Sequence, residues 1–314
     1  MSAASEAGGG PMYTLGPQSP SDGVFKARMR LHQSWYRANV LRLPFGTGPQ
    51  LGDRTFFGNM LDAAGAEAGA NFLSPEIFLV AQRRIAEGGG VEAFRCLRNM
   101  LSSQPMAFNL FAPLTQNLAL ASACFQTLLP ELERVTAVRF EYAPTPRKEF
   151  LNDRTSFDVW VDYRQRDGRR AFLGIETKLT EPFSPLQQDL ATAARYEEVK
   201  NRCRAIWSEP ELSKLMDPRW AQLWRNHLLV HSMLLHPQSQ HEVGHVMVVH
   251  HAGDAECTRV IAGYRGLLVQ PDTSFIDAPL DAIVERWGSC TRTESERAWL
   301  SAFALRYLAL DRSA

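Results

Sequence analysis

Three strand-like segments follow one another closely in the middle of this 314-residue chain, and they constrain its fold more than any other feature. They cover residues 135–142, 155–163 and 170–179. The second segment, TSFDVWVDY, alternates and is rich in aromatic and β-branched side chains. The turn RQRDGR, which contains Asp-Gly, joins it to the third segment, so we expect these two strands to pair antiparallel.

Helical and apolar patterns surround this strand region. Apolar residues recur at helical spacing over residues 113–129, and helical patterns return over residues 186–206 and 218–235. A fourth strand is predicted at residues 243–250, which are apolar on both faces and should therefore be internal. The order α-β-β-β-α-α-β predicts one α/β core, in which helices flank a mixed sheet.

The chain divides by composition into three parts. Residues 1–23 are rich in Gly, Ser, Ala and Pro and have few large apolar side chains, so we expect a disordered N-terminal tail. Residues 24–107 carry helical patterns and form the predicted helical N-terminal region. Residues 108–314 contain the strand region and form the predicted core domain.

The overall charge is balanced, with 34 basic and 34 acidic side chains. A chain without net charge has no global field for nucleic acid, which argues against a passive DNA-coating protein but not against an enzyme with a local cleft. No apolar window is long enough for a membrane span, and the N-terminus lacks the basic start and apolar stretch of a secretory signal. Five scattered cysteines favour free thiols in a reducing compartment, so we expect a cytoplasmic protein.

Two carboxylates and a lysine fall on the second and third strands. Glu176 and Lys178 are two residues apart and therefore point to the same face, while Asp158 lies among apolar neighbours on the adjacent strand. Clustered carboxylates raise each other's pKa unless a cation lies between them, and a hard divalent ion, Mg²⁺ or Mn²⁺, suits oxygen ligands. With Lys178 to steady charge on a phosphate, this set suits phosphodiester hydrolysis. The alternative is an exposed sheet face with ordinary charges.

These residues resemble the core motif of the PD-(D/E)XK nuclease superfamily, over about residues 100–310. The phrases FNLFAPL (108–114), NDRTSFD (152–158) and GIETKLTE (174–181) are similar, more narrowly, to a bacterial group of proposed restriction endonucleases. The resemblance implies a restriction-endonuclease-like core and a metal-dependent nuclease. It also implies that Asp158, Glu176 and the backbone carbonyl of Thr177 bind the metal and that Lys178 lies near the attacking water. Phe157 replaces the proline of the family's name, which weakens the match little.

The sequence offers further candidates for the site, but no motif assigns them. Gln187, on the following helix, could reach the site, although glutamines on helix surfaces are usually solvated. Related sites often include an acid from the first core helix, and Glu131 or Glu133 could serve even though Pro130 places them beyond the helix end. Neither acid is assigned from the sequence.

Arginines around the second strand are candidates for contacting nucleic acid. Arg154 precedes the strand, and Arg169 and Arg170 lie at the hairpin turn. Phosphate contacts supply most nonspecific affinity, but a loop salt bridge and a solvated turn explain these residues equally well. No motif distinguishes DNA from RNA, and a homodimer would supply the two active sites needed to cut both strands of a duplex.

Seven of the eight histidines fall between residues 227 and 251. His227 and His231, like His241 and His245, have the i, i+4 spacing of zinc ligands. The segment HLLVH lacks the glutamate of a zinc-protease motif, however, and no cysteine falls within the run. Core packing therefore competes with a zinc site.

Three functional hypotheses remain. The first is a Mg²⁺- or Mn²⁺-dependent endonuclease that cleaves DNA in restriction or another defence role. The second is a nuclease-fold protein without activity that binds nucleic acid or a partner, and the third is a zinc-dependent hydrolase built on the histidines. The neutral charge is compatible with the first, because bound metal ions supply positive charge that the residue count omits.

Overall fold

The computed structural model describes residues 13–48, 55–185, 190–215, 217–270 and 272–313. Within these ranges the strands are β1 (Phe45–Thr47), β2 (Phe56–Leu61), β3 (Leu132–Tyr142), β4 (Phe157–Gln165), β5 (Arg170–Lys178), β6 (Val243–His250) and β7 (Phe275–Pro279). The helices are α1 (Val24–Trp35), α2 (Ala63–Glu67), α3 (Pro75–Glu87), α4 (Ala93–Arg98), α5 (Ser103–Gln116), α6 (Leu118–Gln126), α7 (Leu190–Arg202), α8 (Ala221–Leu234), α9 (Ala255–Arg265), α10 (Leu280–Gly288) and α11 (Glu294–Tyr307).

Strands β3 to β7 form one mixed sheet in the order β3-β4-β5-β6-β7. The first three strands pair antiparallel, whereas β5–β6 and β6–β7 are parallel. The predicted α/β fold with a mixed sheet is therefore confirmed. The sequence patterns located β3 to β6 but missed β7, which is only five residues long, contains Asp277 and ends at Pro279.

Side chains of the central strands point alternately to the two faces of the sheet, and each face packs into a separate apolar layer. Leu173 and Ile175 of β5 join the layer that contains residues of α5, α6, α10 and α11. On the opposite face, Trp160 of β4 and Phe172 of β5 pack with residues of α8 and α9. Helix α8 therefore covers the face of β5 that also carries Glu176 and Lys178, because these even-numbered residues alternate with the odd-numbered ones.

The N-terminal region packs into the first of these layers. Met29 of α1 and Ile77 of α3 belong to that layer. Asn109 of α5 donates a hydrogen bond to the Tyr307 hydroxyl at 2.9 Å, and Gln33 donates to the Arg306 carbonyl at 2.8 Å. The boundary that we predicted between residues 107 and 108 falls inside α5, and the region contains the hairpin β1–β2 besides its helices.

Residues 13–23 differ from the disordered tail expected from their composition. They lie along the N-terminal region, where the Gly58 amide donates to the Pro17 carbonyl at 2.7 Å and Arg37 donates to the Thr14 carbonyl at 2.6 Å. Asp22 also forms an ion pair with Arg30 at 2.5 Å. Specific partners elsewhere in the fold thus order a segment whose own composition has little apolar surface. Residues 1–12 lie outside the described residues.

Two expectations about the whole chain concern cysteines and membranes. All five cysteines are free thiols. Among the helices that the structure describes, none is long and apolar enough to cross a membrane.

Gly174 offers a test of how tightly the sheet is packed beside the candidate site. A Cβ atom at this position would lie 2.4 Å from the Phe157 ring, next to Asp158. We expect Gly174→Ala to lower the free energy of unfolding by about 1–3 kcal/mol, because the buried ring must move. Urea unfolding measures the change. Gly288→Ala is the control, since nothing lies within 4 Å of its added Cβ, and an equal loss in both variants would contradict this account.

Candidate active site

The pairing of β4 with β5 brings Asp158 against the end of β5. The register pairs Val159 with Ile175, so Asp158 lies beside the last residues of β5. One carboxylate oxygen of Asp158, Oδ2, accepts hydrogen bonds from both the backbone amide and the hydroxyl of Thr177, each at 2.7 Å. These bonds fix Asp158 against Thr177, the residue next to Glu176.

Helix α8 supplies the hydrogen-bond partners of Glu176. Gln222 Nε2 donates to Glu176 Oε1 at 2.6 Å, and Asn226 Nδ2 donates to Glu176 Oε2 at 2.9 Å. The two amides are four residues apart and therefore share one face of the helix. The Glu176 side chain is only 6% exposed, so these bonds compensate for its lost hydration.

Lys178 forms an ion pair with Glu176 and shares Gln222 with it as a hydrogen-bond partner. Its ammonium lies 3.2 Å from Glu176 Oε1 and donates to Gln222 Oε1 at 2.9 Å. Burial lowers the pKa of Lys178, but the charges of Glu176 and Asp158 outweigh it, so the pKa is raised above its ordinary value. The side chain is therefore a cation at neutral pH and suits charge stabilisation better than proton abstraction.

A third carboxylate, Glu141, lies near this pair and was missed by sequence reasoning. Burial raises its pKa to about 7, and the charge of Glu176 adds to the rise. Gln104 of α5 donates to its Oε1 at 3.2 Å. The acids considered from the sequence, Glu131 and Glu133, are exposed and lie near the opposite end of β3. The register of Tyr142 with Phe157 is what brings Glu141 to the site, and no local motif signals it.

The site gathers three carboxyl groups, Asp158, Glu176 and Glu141, around a single lysine. Burial raises the pKa of Asp158 well above its ordinary value, the charges of Glu176 and Glu141 raise it further, and the Thr177 hydrogen bonds oppose the rise. Carboxylate and carbonyl oxygens are the ligand chemistry of Mg²⁺ and Mn²⁺, so the donor types of these residues suit such an ion. In the part of the chain that the structure describes, however, no three His, Cys, Asp or Glu side chains converge closely enough to hold a metal.

The remaining predicted residues lie in different places. Arg154 is exposed in the loop before β4, at the same end of the sheet as Asp158. Arg169 and Arg170 lie at the hairpin turn, about 20 Å away along the strands, and Arg169 pairs with Asp167 at 2.7 Å. The solvated-turn alternative therefore fits these two arginines better. Gln187 lies outside the described residues, and Gln222 holds the site from a helix instead.

The histidines do not form the zinc site considered as an alternative. Both ring nitrogens of His227 are already hydrogen-bonded, to Tyr264 at 2.9 Å and to Ser274 at 2.8 Å. Burial holds the pKa of His227 well below its ordinary value, lowers that of His231 to about 4 and lowers that of His245. These three rings are therefore neutral packing elements.

A groove of about 970 Å³ opens beside the site. Phe183 forms part of its wall and lies under the Lys178 ammonium, 5.1 Å from ring centre to nitrogen. Its lining includes four basic residues (Lys26, Arg28, Arg219 and Arg259) and four acidic ones (Asp22, Glu181, Asp254 and Glu256). A groove of this volume accommodates a few nucleotides or a small molecule, not the full width of a duplex.

A model of the PD-(D/E)XK nuclease superfamily matches residues 20–309. Since this range covers most of the chain, the protein belongs to that family, and the resemblance stated from the sequence is confirmed. The match extends through the N-terminal region, well beyond the core motif. Neither a search of curated proteins nor a search of solved structures found a match.

The buried histidines predict a loss of stability on acidification. The folded-state pKa of His231 is lowered to about 4, so the unfolded chain binds the proton more tightly and stability falls as the pH drops below about 6.5. Between pH 7.5 and pH 5 this group alone costs about 2 kcal/mol. We expect His231→Gln to lose less unfolding free energy than the original chain over that interval, as measured by urea unfolding. Equal losses in both proteins would contradict a neutral buried His231.

The hydrogen bonds of Gln222 to Glu176 and Lys178 lead to a prediction about activity. Gln222→Ala removes partners from both Glu176 and Lys178, and we expect cleavage activity to fall about 10–100-fold with the fold retained. Initial rates and circular dichroism measure the two effects. Gln187→Ala is the matched comparison, because it tests the glutamine that the sequence suggested. Loss of activity in Gln187→Ala alone would overturn the assignment of Gln222.

Proposed function

We propose that this protein is a metal-dependent endonuclease that hydrolyses phosphodiester bonds of DNA. The observation that carries the proposal is the grouping of Asp158, Glu176 and Lys178 at adjoining strand ends, with Gln222 bridging Glu176 and Lys178. The nuclease family supports the reaction class. Mg²⁺ is the proposed cofactor, with Mn²⁺ as a substitute.

Each residue has a proposed role in the hydrolysis. Asp158, Glu176 and the Thr177 carbonyl would hold the divalent ion, which when bound would supply positive charge for the phosphate oxygens and lower the pKa of a bound water. Lys178 places its ammonium against the charge that develops on the phosphate. Thr177 fixes the orientation of Asp158 through two hydrogen bonds, and Glu141 adds a third carboxyl group next to the pair.

The path of the substrate is proposed from the groove and the loop before β4. Arg154 lies at the site's end of the sheet, and the basic residues of the groove are positioned to contact phosphates. RNA is the alternative substrate. A restriction or other defence role, a cytoplasmic location and a homodimer that cuts both strands complete the proposal. We also propose that residues 24–107 assist substrate or partner binding.

One observation favours a second candidate, a nuclease-fold protein that only binds nucleic acid or a partner. Both carboxylate oxygens of Glu176 already have donors in Gln222, Asn226 and Lys178, so the site is satisfied by protein groups alone. The retention of both acids and the lysine favours the enzyme, since a binding surface has no need of them.

The decisive experiment is cleavage of plasmid and linear DNA, and of RNA, with Mg²⁺, Mn²⁺ or EDTA. We expect metal-dependent cleavage that falls on the order of 10²–10⁴-fold in Asp158→Asn, Glu176→Gln and Lys178→Met, because each removes a charge used in the transition state.

The control for these variants is Asp162→Asn, which changes the same residue type on the same strand. Asp162 pairs with His241 at 2.7 Å, away from the site, and its replacement should leave cleavage intact. Binding of DNA without cleavage by the original chain would favour the second candidate, and cleavage unaffected by the three variants would refute the proposed site.

A further inference from the structure

His250 is a buried histidine next to the site that the proposed mechanism does not yet use. It ends β6 and is paired in register with Lys178, the last residue of β5. Partners in parallel strands lie side by side on the same face, about 5 Å apart at the backbone. His250 is 1% exposed, so its ring lies in the interior beside the lysine.

Asp277 determines which nitrogen of this ring carries the hydrogen. Oδ1 of Asp277 lies 2.8 Å from His250 Nε2, and its other oxygen lies 3.6 Å from Arg265. A carboxylate accepts hydrogen bonds, so Nε2 carries the hydrogen and Nδ1 is left with a lone pair. Nδ1 is buried and has no hydrogen-bond partner among the described residues. An unsatisfied buried acceptor is unusual and calls for a partner that arrives in another state.

Lys178, the register partner of His250 on β5, is a hydrogen-bond donor on the neighbouring strand. Its ammonium has three hydrogens and contacts Glu176 and Gln222, with the Phe183 ring on a further side. When Glu176 turns its oxygens to a divalent ion, Lys178 loses its ion-pair partner and needs another acceptor.

We propose that His250, with its tautomer set by Asp277, is a positioning residue that accepts a hydrogen bond from Lys178 when Glu176 ligates the metal. This inference rests on the proposed nuclease function. The lysine then keeps its ammonium directed at the phosphate, held by Gln222 on one side and by His250 Nδ1 on the other. Gln222 lies on α8 and His250 on β6, so in this proposal the two residues hold the ammonium from different sides.

Asparagine and glutamine variants separate this role from a structural one. The side-chain oxygen of asparagine falls near the position of Nδ1, whereas glutamine reaches the position of Nε2 and keeps the link to Asp277. We expect His250→Asn to retain most of kcat and His250→Gln to lose about 10–100-fold, with KM little changed in both. A purely structural role predicts the reverse order, because among the described residues the His250 ring is hydrogen-bonded through Nε2 to Asp277, while Nδ1 has no partner. Thermal unfolding of both variants shows whether either is misfolded.

Asp277→Asn tests the tautomer. An asparagine amide donates to Nε2 and moves the hydrogen to Nδ1, which removes the acceptor for Lys178 and should lower kcat as His250→Gln does. Full activity in Asp277→Asn would overturn the proposal.

Nitrogen NMR of the full chain, labelled with ¹⁵N-histidine, provides a readout that does not depend on activity. We expect the Nε2–H tautomer at His250 and a Mg²⁺-induced shift of its Nδ1 resonance that is lost in Lys178→Met. An Nδ1 resonance unmoved by saturating Mg²⁺ would overturn the role of His250. Absence of cleavage by the original chain would refute the nuclease proposal instead, and the Mg²⁺-induced shift would still decide whether Lys178 and His250 meet.

Discussion

The ion pair between Lys178 and Glu176 is the interaction on which the site depends. Both side chains are less than a tenth exposed, so each charge has lost most of its hydration and needs fixed partners. Gln222 satisfies them together, because its amide donates to the carboxylate and accepts from the ammonium. Strand β5 is thereby tied to helix α8, and the orientation of the reactive groups becomes part of the fold's stability.

A single lysine does not balance the acids around it. Asp158 and Glu141 have raised pKa values because burial and neighbouring carboxylates disfavour their ionised forms. Burial thus disfavours the ionised carboxylates at this end of the sheet, and the divalent ion that we propose would favour them by binding their oxygens. The proposed exchange of hydrogen bonds at Lys178 has the same cause. A metal ion that binds the oxygens of Glu176 competes with the Lys178 ammonium for them.

The sequence patterns located β3 to β6 and the residues Asp158, Glu176 and Lys178, because strand alternation and short motifs are local properties. They missed Glu141 and Gln222. Glu141 reaches the site only through the β3–β4 register, and Gln222 does so only because α8 packs over β5. The helix itself was predicted, but which of its faces meets the sheet depends on packing against residues more than forty positions away.

The amino-acid sequence by itself determined the α/β class, the order of the strands and the grouping of acids and lysine on paired strands. Periods of 2 and 3.6 residues encode these features locally. Only the tertiary structure decided which helix holds Glu176, that residues 13–23 are ordered, and that His250 and Asp277 lie beside Lys178. Such contacts join distant segments, and their energies come from burial and hydrogen bonds that exist only once the sheet and helices have packed together.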